Sequence, residues 1–446
     1  MFEFGRELRR ILGQNGRHEP DISLYELMNL ELLISQGRGL DIEGGRVSTK
    51  NRYDPYLESA LIWREYARRT GDTLAVRKAT TAAEAAGKAA RTVHEAAHAA
   101  LVQAEICVLG YDLFETAELL KSAETLLATG RAALDSEPGL IAAYTLAEGR
   151  LAARLAVRSG VGEELEPALL AMAHLDRAIE RFDAQVRLTK TASDKIHAAD
   201  ARIERADLLV LVGLDRGDSR LMGAVIRDLS AVKARLDPDY EPVTFGRVSQ
   251  RLAMAHVWMG QIDGAPQMIS EGIAALTPKE ELMFYEHSPL DWVVNTHSRA
   301  LALQSLAELI TEDGLSEQAL KAYDLALHKP LQKELSLRAQ IVNNRAGCLA
   351  RRAELKGDLV SLDAAETAFK AELRVVKPGE DPVGWAILQT NLGRLYVARG
   401  DITGFMMERA EAAYALEAAQ DIFLEHGLIA LAATAEENLS RVRAAG

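Results

Sequence analysis

The feature that most restricts this chain is a recurring glycine, often followed by aspartate, between stretches of helical periodicity. From Tyr56 onward such turns fall at Gly71-Asp72, Gly110, Gly160, Gly217-Asp218, Gly260, Gly314, Gly357-Asp358 and Gly400-Asp401. Glycine accepts the left-handed backbone that ends a helix, and an aspartate after it can take up the N–H groups that open the next one. Eight such turns predict about eight antiparallel helix pairs, each burying its apolar face against its neighbours. Valine, isoleucine and threonine form no alternating runs, so no strand is predicted. The expected fold class is all-α and the expected architecture is an α-solenoid.

The last three pairs align with one another. Trp292, Arg338 and Trp385 are 46 and 47 residues apart, and Ala300, Ala346 and Gly393 repeat the same steps as a small-residue site. Pro289-Leu-Asp-Trp292 and Pro382-Val-Gly-Trp385 open two of these pairs. In the second helices, Ala319 with Tyr323 and Ala365 with Phe369 place a small residue one turn before an aromatic. Within Trp385 to Asp401, WAILQTNLGRLYVARGD, the residues Leu392, Gly393 and Tyr396 spell L-G-x2-Y, with a tryptophan upstream.

These residues resemble the tetratricopeptide repeat (TPR) family, whose pattern is W-x2-L-G-x2-Y followed by A-x3-F. Trp385 stands three residues further upstream than that pattern places it. The period near 46 exceeds the family's period of about 34, and the added residues lengthen the helices. In the N-terminal half the pattern thins: Trp63 and Tyr66 are out of spacing, and only the periodicity persists. The resemblance implies a right-handed superhelix that binds other proteins. It divides the chain into a helical segment with a Gly-rich loop (1–55), the solenoid (56–426) and a capping helix (427–446).

The resemblance also marks binding residues. In such repeats the first helix of each pair faces inward, and an asparagine just before the L-G pair clamps a bound peptide. Asn391 holds that place and Asn344 is its equivalent one repeat earlier, with Asn343, Arg351 and Arg394 on the same side. Arg247 and Arg251 extend the row, and His297 lies between the two sets. Asparagine offers an extended backbone both a donor and an acceptor, while arginine grips carboxylates with a fork. The bland alternative is a solvated helix face.

His94-Glu95-Ala96-Ala97-His98 is the sharpest chemical motif. On a helix, HExxH sets two histidines on one face with a glutamate beside a metal-bound water. A third ligand is required, and Glu118, twenty residues past His98, lacks the motif that would surround it. The sheet that supports such sites is also unexpected here. The motif therefore reads as part of a solenoid helix, with no catalysis, metal or cofactor expected.

Composition narrows the class further. The net charge is −13, from 52 basic and 65 acidic residues, which argues against a nucleic-acid binder. Cys107 and Cys348 are far apart and fit a reducing compartment rather than a disulfide framework. No stretch reaches the ~18 apolar residues of a membrane span. A cytoplasmic, non-catalytic scaffold with a protein or peptide partner is the expectation. A peptide- or ligand-responsive regulator is the runner-up, and a metallopeptidase on His94, Glu95 and His98 ranks third.

At the N-terminus, residues 1–13 form an amphipathic helix candidate with Phe4, Leu8, Ile11 and Leu12 on one face. It is expected to dock on the solenoid itself. Insertion in a partner's groove ranks next, and weak contact with a membrane surface last, because three arginines against two glutamates attract headgroups poorly. Residues 13–20 read as a link. A second helix is expected from Asp21 or Ser23 through LYELMNLELLIS, followed by a Gly-rich loop over 37–55.

Overall fold

The computed structural model describes residues 22–131, 138–159, 165–189, 191–276, 285–329, 331–332, 335–379, 382–426 and 428–444. The helix expected over 1–13, its link, and the turn expected at Gly160 lie outside them. The described residues form nineteen helices and no strand. A short α1 (Ile22–Leu27) and α2 (Leu30–Gly45) precede eight hairpins. In order these are α3 (Tyr53–Thr70) with α4 (Thr73–Ala89), α5 (Val93–Phe114) with α6 (Ala117–Arg131), α7 (Pro138–Ser159) with α8 (Glu166–Thr189), and α9 (Ala192–Arg216) with α10 (Ser219–Lys233). There follow α11 (Pro242–Ile262) with α12 (Pro266–Leu276), α13 (Pro289–Ile310) with α14 (Asp313–His328), α15 (Ser336–Lys356) with α16 (Leu359–Val375), and α17 (Pro382–Thr403) with α18 (Met406–Glu425). A last helix, α19 (Ile429–Ala444), packs its Ala432 and Ala435 against Ala419 and Phe423 of α18.

The N-terminal region differs from expectation. The second helix breaks at Met28, and Asn29 restarts the chain as a cap, its Oδ1 accepting from Leu32 N at 2.8 Å. Residues 37–45 are helical, not loop. Their glycines serve close packing instead: a Cβ on Gly37 would stand 2.8 Å from the Trp63 ring, and one on Gly44 2.6 Å from the Tyr56 ring.

The turns divide into two kinds. Gly71, Gly217 and Gly357 adopt positive φ, and the side chains of Asp72, Asp218 and Asp358 then cap the next helix. Gly110, Gly260, Gly314 and Gly400 instead lie inside helices. There the left-handed residues are Glu115, Gly264, Thr311 and Gly404. Gly260 sits where the returning helix crosses, since a Cβ would stand 2.8 Å from Ala265 O. Glycine at Gly110 and Gly260 permits close approach rather than reversal, whereas nothing crowds Gly314.

Alanine fills the helix–helix contacts, as its small volume allows. Ala300, Ala346, Ala319 and Ala365 are all without solvent exposure, and Tyr323 and Phe369 are buried beside them. The hairpins stack so that turns line one edge and the links between hairpins line the other. We call these the turn edge and the open edge.

The stack coils back on itself with a step of five hairpins. Helix α3 packs on α13, and α5 on α15. Arg68, near the first turn, meets Asp291 at the start of α13 at 3.1 Å, and Thr73 N donates to Gln332 Oε1 at 3.1 Å. Leu113 joins Leu290 and Leu335 in one apolar cluster. Ser336 Oγ reaches Asp112 O at 3.4 Å, and Arg158 reaches His426 O at 3.5 Å. The turn edge of the first three hairpins thus rests on the open edge of the last three.

Candidate functional site

The inner face of the first superhelical turn is built from α3, α5, α7, α9 and α11. Arginines repeat at i, i+4 on alternate helices: Arg64 and Arg68, Arg150 and Arg154, Arg247 and Arg251. The helices between them carry acids, Glu105 and Asp112 on α5 and Asp200, Glu204 and Asp207 on α9. These spacings put each set on one helix face, and the curvature brings the faces together. Arg150 bridges Glu105 and Asp200, each at 3.3 Å, and Glu204 at 3.0 Å. Arg154 holds Asp112 at 2.7 Å and also Glu204, while Arg64 pairs with Glu105. Burial alone would raise Asp200, but Arg247 and Arg150 outweigh it and bring the carboxyl down to about 2. Glu204 falls to about 2 in the same way, with Arg154 and Arg150 overcoming its burial.

Helix α1 closes this lumen, which retains a cavity of about 210 Å³. The buried Glu26 carboxylate accepts from Val243 N and Thr244 N, both at 3.0 Å, and from Thr244 Oγ1. It thereby satisfies N–H groups at the positive end of α11. Around the same C-terminal end of α1, the fully buried Arg69 donates to Met28 O at 2.7 Å and to Tyr25 O. Arg69 also pairs with Glu65 at 2.6 Å and lies 3.3 Å from His287 Nε2.

Burial pushes the Glu26 carboxyl up from 4.5 to about 7, against the hydrogen bonds from Thr244. Its folded value lies above its unfolded one, so its contribution is complete below about 4.5 and is lost as pH rises through about 7. Amide-exchange protection over residues 22–27 is therefore expected to fall between about pH 5 and pH 8. Glu26→Gln should remove that dependence. Protection independent of pH in the wild-type chain would refute this account of α1.

The second turn leaves its inner face open. A groove of about 420 Å³ is lined by Asn343, Asn344 and Arg351 of α15, Asn391 and Arg394 of α17, and Asn438 of α19. Asn391 Nδ2 donates to Ile387 O at 2.9 Å and to Asn343 Oδ1, and Asn344 Nδ2 lies 2.9 Å from His297 Nε2. His297 is buried behind Asn344, and burial depresses its imidazole to about 4, so it stays neutral near pH 7. Arg351 and Arg394 are exposed, and Arg394 makes no ion pair among the described residues. Gly347 faces open space in this groove.

The structure thus gathers five of the eight residues expected on the concave face and sets His297 behind them. Arg247 and Arg251 lie apart in the first lumen, paired with Asp200 at 2.6 Å and Asp207 at 3.1 Å. Sequence reasoning missed Asn438 and Arg441 of α19, because that helix read only as a cap. It also missed the charge ring, although the R-x3-R spacing on alternate first helices was a usable signal.

The HExxH segment opens α5. Thr92 and Glu95 form a reciprocal capping box: Glu95 N donates to Thr92 Oγ1 at 3.1 Å, and Glu95 Oε2 accepts from Thr92 N at 3.2 Å. The His94 and His98 rings are 6.4 Å apart, and burial together with His94 lowers His98 to about 4. Among the described residues no three His, Cys, Asp or Glu side chains are grouped to hold a metal ion. No helix among them is long and apolar enough to cross a membrane. Cys107 and Cys348 are free thiols.

No protein-family model and no curated protein matches this chain. Among solved structures, it is similar to a "Circular tandem repeat protein with novel repeat topology and enhanced subunit contact surfaces". That likeness has 15% identity, covers 94% of this chain and 95% of the other, and has a TM-score of 0.27. A likeness at that level carries no argument. The helical-repeat architecture rests on the chain's own eight hairpins.

Proposed function

We propose that this is a non-catalytic scaffold of the tetratricopeptide type, acting in the cytoplasm, which holds an extended segment of a protein partner in the groove of its second turn. The observation that carries this reading is the contrast between the two turns. The first lumen is narrowed by α1 to about 210 Å³ and lined by arginines already paired with carboxylates. The second presents asparagine amides from adjacent helices beside two exposed arginines and an open glycine floor. The Oδ1 atoms of Asn344 and Asn391, whose Nδ2 groups are already engaged, would accept from a peptide backbone, and Arg351 or Arg394 would take an acidic side chain or a terminal carboxylate. The non-catalytic reading is supported by Glu95, whose carboxylate serves its own helix start.

The test is a titration, by fluorescence anisotropy, of labelled acidic peptides with free or amidated C-termini and of basic controls. Asn344→Ala with Asn391→Ala is expected to weaken acidic-peptide binding by about tenfold or more, from two lost bonds of ~0.5–1.5 kcal/mol each. Arg351→Glu with Arg394→Glu should do the same and flatten the salt dependence. Gly347→Leu should block the groove while leaving helicity intact. Equal affinity in all variants would place any binding elsewhere on the molecule.

A further inference from the structure

The groove asparagines have one pole of each amide already committed. Asn391 gives both Nδ2 hydrogens away, to Ile387 O and to Asn343 Oδ1. Asn344 Nδ2 lies 2.9 Å from His297 Nε2. His297 is only 7% exposed, its ring centroid 5.9 Å from that of the buried Tyr323, and burial keeps it neutral near pH 7. A neutral imidazole has one bare nitrogen, so Nε2 accepts and the Asn344 amide is held with Nδ2 inward. The Oδ1 atoms of Asn344 and Asn391 are left as acceptors for the groove. Asn343, whose Oδ1 is occupied, brings its Nδ2 between them as a donor. Asn344 and Asn391 hold equivalent places on α15 and α17, which pack on each other. Their oxygens are therefore offset by one helix spacing, about 8–10 Å. A partner backbone must bring two N–H groups to that separation on one side. In a β-strand the N–H groups on one side come from every second residue, about 7 or 13 Å apart. In polyproline II three residues complete a turn at ~3.1 Å each, so residues i and i+3 share a side at about 9 Å.

We infer that the groove selects a polyproline II segment whose N–H groups at i and i+3 meet Asn344 Oδ1 and Asn391 Oδ1, with His297 as the positioning residue that sets the Asn344 amide. This rests on the groove reading above and adds the backbone form and spacing of the partner. Proline is accepted at i+1 and i+2, where no N–H is used, and excluded at i and i+3.

The test titrates the full chain, by anisotropy, into two labelled peptides of one composition with free C-termini. They are Pro-Ala-Pro-Pro-Ala-Pro-Pro-Glu and Pro-Ala-Pro-Ala-Pro-Pro-Pro-Glu. In the first, each residue with an N–H stands three from the next; in the second, no two do. The first should bind roughly threefold to tenfold more tightly, the worth of one backbone hydrogen bond. His297→Phe should abolish that preference, whereas a merely structural role would weaken both peptides alike. Asn344→Ala should abolish it too, and serves if His297→Phe melts early. Nitrogen NMR of the histidine-labelled chain near neutral pH should show His297 protonated at Nδ1 and bare at Nε2. The opposite tautomer would reverse the Asn344 amide and overturn the inference. So would equal affinity for the two peptides, or a preference that survives both variants. If acidic peptides without proline still bind, those results leave the groove reading standing. Failure of every acidic peptide to bind would remove the groove reading, and this inference with it.

Discussion

Arg69→Ala is expected to destabilise the first superhelical turn by about 2–6 kcal/mol, from two buried carbonyls left without a donor at ~1–3 kcal/mol each. Arg69 has no solvent exposure and serves three groups at once. It pairs with Glu65, and it donates to Tyr25 O and Met28 O at the end of α1. Removing it leaves Tyr25 O and Met28 O without their buried donor, while Glu65 keeps Arg68, which holds it at 2.9 and 3.0 Å. Burial pushes the Glu65 carboxyl up, but Arg68 and Arg69 more than reverse this and hold it well below the usual carboxylate range. The loss is measured by chemical denaturation, with limited proteolysis near residues 22–29 as a local readout. Arg69→Met with Glu65→Met should not recover the loss, because the two carbonyls still lack a donor and Arg68 loses Glu65 as well. If the single variant melts like the wild type, Arg69 does not anchor α1.

Gly393→Leu is expected to cost about 1–3 kcal/mol by over-packing the last hairpin. A Cβ there would stand 2.6 Å from Leu416 Cγ and 3.2 Å from Ala412 O. Ala412 and Leu416 are both without exposure, and the second obstacle is backbone, so the clash cannot be relieved by one rotamer. Because stacked repeats couple mainly to their neighbours, exchange protection should fall first in α17 to α19. A single cooperative melt at the wild-type temperature would contradict this.

Residue 393 also shows what the sequence made legible. Gly393, Ala346 and Ala300 were recognisable because one physical demand, close helix approach, recurs at a fixed step. The aromatic contact was legible where Tyr323 and Phe369 follow an alanine by one turn. It recurs at Ala178–Phe182 and Ala419–Phe423, all four buried. In α6 and α10 leucines fill the same space, at Leu127 and Leu229, and a leucine after a small residue is too common to stand out. Turn positions were legible only where glycine and aspartate act together. Glu115 and Thr311 take the left-handed conformation without glycine, so nothing in the residue type announced them.

The groove was legible in part for a similar reason. Asn344 and Asn391 occupy equivalent repeat positions, and local spacing places them on one face. Arg247 and Arg251 share that face, yet the superhelix carries them into a different lumen. Periodicity along a helix cannot report how many hairpins complete a turn, and that number decides which arginines meet acids.

The five-hairpin step has a consequence for how such a chain can change. Most stacked arrays tolerate gain or loss of a unit, since each unit meets only the one before and the one after. Here Arg68 meets a residue 223 positions away, Thr73 one 259 away and Arg158 one 268 away. Excising one hairpin between them would offer each of these side chains the wrong counterpart, one place along the coil. Length polymorphism is thereby closed to hairpins two to five, while additions beyond α19 leave every existing match in place.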